Sequence, residues 1–150
     1  MQPVPYLFFQ GNTAEALRAY ARVFGSPEPQ IMLMGSLPEE QRMGARPEAV
    51  MHGAVQVDQG WIYGADDQDA SEAGKGAGCV AVTQKTAEES RRIFDALAEG
   101  GQVILPISQT FWSPAFGMLT DRFGTRWMID TQGAQMPEGT SAAPAESTAA

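Results

Sequence analysis

One pattern of secondary structure occurs twice in the chain, and this repeat limits the possible folds more than any other feature. The segments TAEALR (13–18) and TAEESR (86–91) share four of six residues and begin 73 positions apart. Further along, the offset becomes 64, which aligns Gly53 with Gly117. Around these anchors the same order of strand, helix and three strands appears in both halves. The sequence therefore predicts an internal duplication.

Each half begins with a short apolar strand and a capped amphipathic helix. Asn12 with Glu15, and Thr86 with Glu89, place an N-cap residue three positions before a glutamate. Apolar residues then recur at helical spacing, and glycine follows each helix. The strands are predicted at 5–9, 29–34, 49–57 and 60–66, and at 79–83, 103–107, 111–124 and 125–130.

These elements predict an α+β fold of two βαβββ modules, about 3–66 and about 77–131, within one domain of residues 1–131. We expect a curved, mixed, mostly antiparallel sheet around a cleft, with a helix on the outside of each half. A ligand would then lie in the concave inner face. Residues 132–150 are small and polar, and they predict a flexible C-terminal tail.

Composition excludes several classes of partner. The net charge is −8 and only two lysines, Lys75 and Lys85, occur, so we expect neither nucleic acid nor an anionic membrane as a partner. No apolar run approaches the roughly 18 residues of a membrane span. The N-terminus has no basic segment before its short apolar run, and Cys79 is the only cysteine. Both features predict a cytoplasmic protein.

The duplication resembles the vicinal oxygen chelate superfamily, which includes glyoxalase I, bleomycin resistance proteins and extradiol dioxygenases. The segments PYLFFQGNTAEALRAYARVFG, VMHGAVQV and FWSPAFGMLTDRFGTRWMID are similar to its PhnB-like group, also labelled 3-demethylubiquinone 3-methyltransferase. The likeness covers residues 3–131. It implies the glyoxalase-like fold, and together with the high aromatic content it implies a homodimer.

Metal-dependent members of that superfamily take their ligands from the first and last strands of each module. By this resemblance the corresponding positions are Pro5 or Tyr6, Gly78 or Cys79, Met128, and Gly64 at the offset of 64. None carries a carboxylate or an imidazole, so we predict no bound metal and no cofactor. Methyl transfer is not favoured either, because the connection QGNT after the first strand lacks a glycine-rich nucleotide-binding loop.

His52 is the only histidine and lies on the predicted strand VMHGAVQV. Strand alternation places His52, Ala54 and Gln56 on one face, and Gly53 and Val55 on the face expected to meet the helix. His52 and Gln56 would then point into the cleft. His52 is a candidate general base or hydrogen-bond partner of a ligand; the commoner case is a structural histidine at a dimer or loop contact. The catalytic residues are otherwise unknown.

Cys79 is a candidate nucleophile if it lies beside His52, although a small buried cysteine is commoner. The aromatic residues are predicted to have one of two roles: they line a ligand-binding site, or they fill the core and a dimer interface. The candidate ligand-binding residues are Tyr6, His52, Gln56, Trp61, Tyr63, Cys79, Trp112, Trp127 and Met128.

Several charged residues have simpler explanations. Asp121 and Arg122 flank the turn before the last strand and are predicted to be exposed turn residues. Arg126 lies within that strand and is a candidate anchor for an anion or for a subunit contact. Asp66, Asp67 and Asp69 lack the spacing of a calcium loop and are predicted to lie in a solvated loop.

The hypothesis that best fits these observations is a metal-free binding protein for a small hydrophobic or aromatic ligand. The alternative is a metal-dependent lyase, isomerase or dioxygenase with an unusual ligand set that includes His52. A third is a structural or regulatory dimer without a ligand.

Overall fold

The computed structural model describes residues 3–67 and 78–133. The tail predicted at 132–150 lies outside these ranges apart from its first two residues, as do Asp69 and Lys75. The elements are β1 (Tyr6–Phe9), α1 (Thr13–Phe24), β2 (Gln30–Leu33), β3 (Val50–Val57), β4 (Gly60–Asp66), β5 (Val80–Gln84), α2 (Ala87–Ala98), β6 (Gln102–Ser108), β7 (Phe116–Thr120) and β8 (Arg126–Thr131). The predicted α+β class with two βαβββ modules is confirmed.

The eight strands form two four-stranded sheets rather than one continuous sheet. The first sheet has the order β1-β4-β3-β2 and the second the order β5-β8-β7-β6. Within each sheet the first and last strands of the module are parallel neighbours, and the other pairs are antiparallel. Each module therefore closes its own mixed sheet.

Each sheet has an inner face that packs against the helices and an open face on the opposite side. On β3, Val55 belongs to the buried core, and a Cβ added to Gly53 would contact Leu17 of α1. His52 and Gln56 lie on the opposite face. The predicted orientation of β3 is thus confirmed, and the absent side chain of Gly53 lets the helix approach closely.

The inner faces of both sheets and both helices share one hydrophobic core. Tyr20 of α1 joins the two modules, because its ring centroid lies 5.1 Å from that of Trp127 on β8. The expectation that a helix lies on the outside of each half is wrong, because both helices pack within this shared core. Both open faces lie outside this shared core, and they leave apolar side chains such as Phe8 and Leu105 exposed.

Asp121 is buried at the junction of the modules, so the prediction of an exposed turn residue is wrong. Its carboxylate accepts hydrogen bonds from the Tyr20 hydroxyl at 2.7 Å and from Trp127 Nε1 at 2.8 Å. It also accepts from the backbone N–H groups of Phe123 and Thr125, each at 2.9 Å. Four donors compensate for the loss of solvent around the charge. Burial, with this carboxylate beside it, raises the pKa of Tyr20 above its ordinary range.

Only the second predicted capping box forms its side-chain cap. Thr86 Oγ1 accepts a hydrogen bond from the Glu89 backbone N–H at 3.2 Å, whereas Asn12 makes no side-chain cap. The Glu89 carboxylate pairs instead with Arg92 at 2.6 Å, and the hydrogen bond from Arg92 lowers the pKa of Glu89.

Helix α1 is capped from another element. Asp66, the last residue of β4, accepts from the Thr13 backbone N–H at 3.2 Å and from the Thr13 hydroxyl at 2.7 Å. Its other oxygen accepts from the Val50 backbone N–H at 2.8 Å. Asp66 is therefore part of the fold and not of a solvated loop, because it accepts from the first N–H of α1, which has no partner within the helix, and from the first N–H of β3.

Neither helix within residues 3–67 and 78–133 has the length and hydropathy of a membrane-spanning segment.

Candidate functional site

The open face of the first sheet carries a group of rings that we call the aromatic cluster: Tyr6, Phe8, His52, Trp61 and Tyr63. Tyr6 Oη lies 3.1 Å from His52 Nδ1, so a hydrogen bond links β1 to β3 across the intervening β4. Tyr63 on β4 lies below this bridge, with its ring centroid 5.0 Å from that of His52 and 6.2 Å from that of Tyr6. The structure thus brings together four of the predicted site residues.

Strand alternation explains why these side chains meet. Tyr6 and Phe8 are two residues apart on β1, and their ring centroids are 5.2 Å apart. Trp61 and Tyr63 have the same relation on β4, at 6.5 Å. Phe8 was missed as a candidate, although the alternation of β1 from Tyr6 was enough to place it on the same face.

Small residues lie between the rings and form the floor of the cluster. Ala65 is paired with Phe8, and Ala54 is paired with Tyr63. Both alanines are nearly fully buried although they belong to the open face, because larger neighbours cover them. The small side chains therefore let the surrounding rings lie close to the sheet.

Two neighbours extend the cluster in different ways. Met32 on β2 is paired with His52 and is half exposed, so it adds an apolar border. Gln56 lies on the same face, as predicted, but its side-chain amide donates to the Asp58 carbonyl at 3.1 Å. Gln56 is therefore directed towards its own hairpin turn.

The open face of the second sheet is apolar but has a different character. Met128 is paired with Ala81 on β5 and with Met118 on β7. The rings of Trp112 and Phe116 lie 5.4 Å apart at the edge of this face. Methionine and tryptophan side chains there present a soft, adaptable surface.

Two candidate residues occupy other positions than predicted. Trp127 is fully buried on the inner face, because it alternates with Met128 along β8; it therefore belongs to the core and not to a ligand wall. Cys79 is exposed just before β5 rather than buried. Cys79 precedes a strand of the second sheet, whereas His52 lies on a strand of the first sheet. The two side chains are therefore not on the same open face.

The structural repeat corrects one alignment. Gly64 pairs with Gly53 in the first sheet, and Ile129 pairs with Gly117 in the second, so the last strands are related by an offset of 65. Gly53 and Gly64 are 64 − 53 = 11 positions apart, whereas Gly117 and Ile129 are 129 − 117 = 12 positions apart, so the second pair encloses one more residue. The counterpart of Met128 is therefore Tyr63 and not Gly64, which lies on the inner face against Phe9.

The same register relates Tyr6 to Ala81, since each is paired with the open-face residue of the last strand. The positions that chelate metal in the resembled superfamily are then Tyr6, Tyr63, Ala81 and Met128. No group of three or more His, Cys, Asp or Glu side chains comes together in the ranges that the structure describes. These four side chains provide phenol, methyl and thioether groups, which do not match the usual donors for divalent metals.

A second concavity lies where the two modules meet, between the end of α1, the β3–β4 turn, the end of β5 and the start of α2. This open groove of about 1000 Å³ includes Phe24, Pro27, Asp58, Thr83 and Lys85 in its lining. Its walls mix polar and apolar groups without a cluster of rings or of reactive side chains.

The arrangement of strands and helices defines the class of protein: it is the glyoxalase-like fold of the vicinal oxygen chelate superfamily. The crystal structure of protein PA1353 from Pseudomonas aeruginosa superimposes with a TM-score of 0.77 and 35% identity, over 88% of this chain and 98% of that one. A putative 3-demethylubiquinone-9 3-methyltransferase, PhnB protein, from Bacillus cereus gives a TM-score of 0.71 at 23% identity, over 87% and 99% of the two chains.

The particular family follows from sequence matches. The family model described as 3-demethylubiquinone-9 3-methyltransferase matches residues 2–130. Protein YjdN of Escherichia coli is 30% identical over 135 residues, which cover 84% of this chain and 92% of that protein. The chain belongs to this family, and the PhnB-like resemblance stated from the sequence is confirmed.

Proposed function

We propose that this protein binds a small hydrophobic or aromatic molecule without a metal ion, and that the aromatic cluster is its binding site. The observation that carries the proposal is the exposed group of rings around the Tyr6–His52 hydrogen bond. Phe8 is 66% exposed and Tyr6 is 42% exposed. Exposed rings clustered on one face commonly mark a binding site, because flat apolar surface with a few polar groups suits an aromatic ligand.

A screen by thermal shift tests this proposal, with aromatic, quinone, phosphonate and glycopeptide compounds as probes. A compound that raises the Tm of the protein should lose most of its effect in Phe8→Ser. Met43→Ser is the matched control, because Met43 is also an exposed apolar residue but lies in the connection between β2 and β3. An equal loss in both variants would place the site elsewhere.

The alternative is a metal-dependent lyase, isomerase or dioxygenase in which His52 is a ligand. The bridge to Tyr6 uses His52 Nδ1, and the open face of the first sheet offers no carboxylate beside it from β1 to β4, which favours binding without metal. Metal analysis of protein purified without a histidine tag decides between the two. Stoichiometric zinc, nickel, iron or manganese that is lost in His52→Ala would reject the metal-free proposal.

Methyl transfer, the activity in the family's description, finds little support in this chain. A nucleotide-type methyl donor would be expected at a glycine-rich connection leading to a helix N-terminus. Here the first helical N–H of α1, at Thr13, already donates to the Asp66 carboxylate. A Tm unchanged by S-adenosylmethionine is the expected result.

We further propose a cytoplasmic homodimer whose second subunit completes the site. Each chain leaves both open faces uncovered, and the methionines of the second face complement the rings of the first, since sulfur packs well against aromatic groups. Met118, Met128 and Trp112 of one subunit would cover the aromatic cluster of the other. Sedimentation at micromolar concentration tests this, and a monomer would contradict it.

A further inference from the structure

The hydrogen bond between Tyr6 and His52 controls which group the aromatic cluster presents to a ligand. A neutral imidazole has one nitrogen that accepts and one that donates. The 3.1 Å contact is compatible with either neutral tautomer of His52. Because a phenol donates more strongly than it accepts, we take Tyr6 Oη as the donor and His52 Nδ1 as the acceptor. The remaining nitrogen, Nε2, then carries a proton and donates. A protonated imidazole donates from Nε2 as well.

The surroundings of His52 do not compete for this donor or reverse its electrostatic effect. From β2, Met32 lies beside it, and from β1 and β4 the titratable neighbours are the phenols of Tyr6 and Tyr63. The other side chains that β1 to β4 direct to this face are apolar or glutamine. Asp66 is turned to the inner face, where it bonds to α1 and β3. An anionic oxygen near His52 therefore meets donors and no carboxylate from these strands.

We propose that the aromatic cluster selects planar aromatic molecules that carry an oxygen acceptor, and that an aromatic carboxylate binds best. The exposed rings accept the flat part of the ligand. His52 Nε2 donates to its oxygen, and Tyr6 is a positioning residue that holds the imidazole in the donating form. This inference rests on the proposed function, because it uses the same site.

The experiment compares two probes with one ring system, 2-naphthoate and 2-methylnaphthalene, by titration of the full-length protein. The wild type should bind 2-naphthoate at least about tenfold more tightly, as expected for a hydrogen bond to a charged group. His52→Leu should reduce this preference to within about twofold, with 2-methylnaphthalene binding little changed. His52→Gln, which keeps an N–H donor, should retain part of the preference.

Two further variants separate positioning from packing. Tyr6→Phe removes the hydroxyl that donates to His52 Nδ1 but keeps the ring. The preference for 2-naphthoate should therefore fall, while 2-methylnaphthalene binding is retained. Met32→Leu is the control, because it alters an apolar neighbour of His52 and should leave the preference unchanged. Circular dichroism establishes that each variant is folded.

The outcomes distinguish this inference from the proposed function. Equal affinity of the wild type for both probes refutes the carboxylate preference and leaves an aromatic binding site. A preference that survives in folded His52→Leu refutes the role of His52. If neither probe binds, the aromatic binding site is contradicted as well.

Discussion

Asp121→Asn tests whether the buried carboxylate holds the two modules together. One oxygen of Asp121 accepts from the Tyr20 hydroxyl and from Trp127 Nε1, and the other accepts from the backbone N–H groups of Phe123 and Thr125. An asparagine must turn its NH₂ group towards one of these pairs of donors. At least one buried donor then loses its acceptor.

The expected loss follows from these contacts. With its NH₂ towards the first pair, the Tyr20 hydroxyl can turn to Thr125 Oγ1, which lies 2.8 Å away, but the Trp127 N–H has no acceptor. A buried unsatisfied donor costs about 1–3 kcal/mol, and the remaining hydrogen bonds lose their charge assistance. We therefore expect the free energy of unfolding to fall by about 2–4 kcal/mol, which lowers the Tm by about 5–15 °C.

Urea unfolding followed by tryptophan emission measures this loss at fixed protein concentration. Asp130→Asn is the matched control, because the same chemical change then falls on a half-buried residue of β8 that bonds to the N–H of its neighbour Thr131. It should cost less than about 1 kcal/mol. Equal losses in the two variants would refute the structural role assigned to Asp121.

Three other predictions concern stability. Since burial raises the pKa of Tyr20, its neutral form stabilises the fold fully below pH 10, and this contribution declines above pH 10 by about 1.4 kcal/mol per pH unit. In urea unfolding measured from pH 9 to 11, Tyr20→Phe should remove this part of the dependence of the free energy of unfolding on pH. Thr86→Ala should cost about 1 kcal/mol by loss of the N-cap, and Asn12→Ala much less, since Asn12 makes no side-chain cap; equal thermal shifts would contradict the assignment. Gly117→Ala should cost more than about 2 kcal/mol, because its Cβ would lie 2.7 Å from a ring carbon of α2 and 2.9 Å from the backbone of β6, whereas Gly78→Ala meets no atom within 4 Å and should be neutral in the same assay.

Much of the candidate site was predictable because it depends on alternation along single strands. His52 lies on the open face of the first sheet, as the alternation along β3 predicted. Trp61 and Tyr63 on β4 lie on the same face, and their aromatic side chains had indicated them as candidates. Trp127 shows the limit of that reasoning. Its aromatic character pointed to a ligand wall, but its face depends on the register of β8, which differs by one residue from the register of β4.

Capping shows the same limit at the start of the helices. Thr86 acts within its own helix, so a local pattern identified it correctly. Asn12 occupies the corresponding position, yet the cap of α1 comes from Asp66, which is 53 residues from Thr13. A pattern of neighbouring residues contains no information about such a partner.

The sequence by itself determined the two modules, the order of their elements and the face that each side chain of β3 occupies. Each of these depends on residue spacing along a short segment, where helix and strand periodicity act directly. Only the tertiary structure decided how the modules dock, with the helices in a shared core and both open faces uncovered. That choice depends on contacts such as Tyr20 with Asp121, which are 101 residues apart and satisfy a buried charge that neither module satisfies alone.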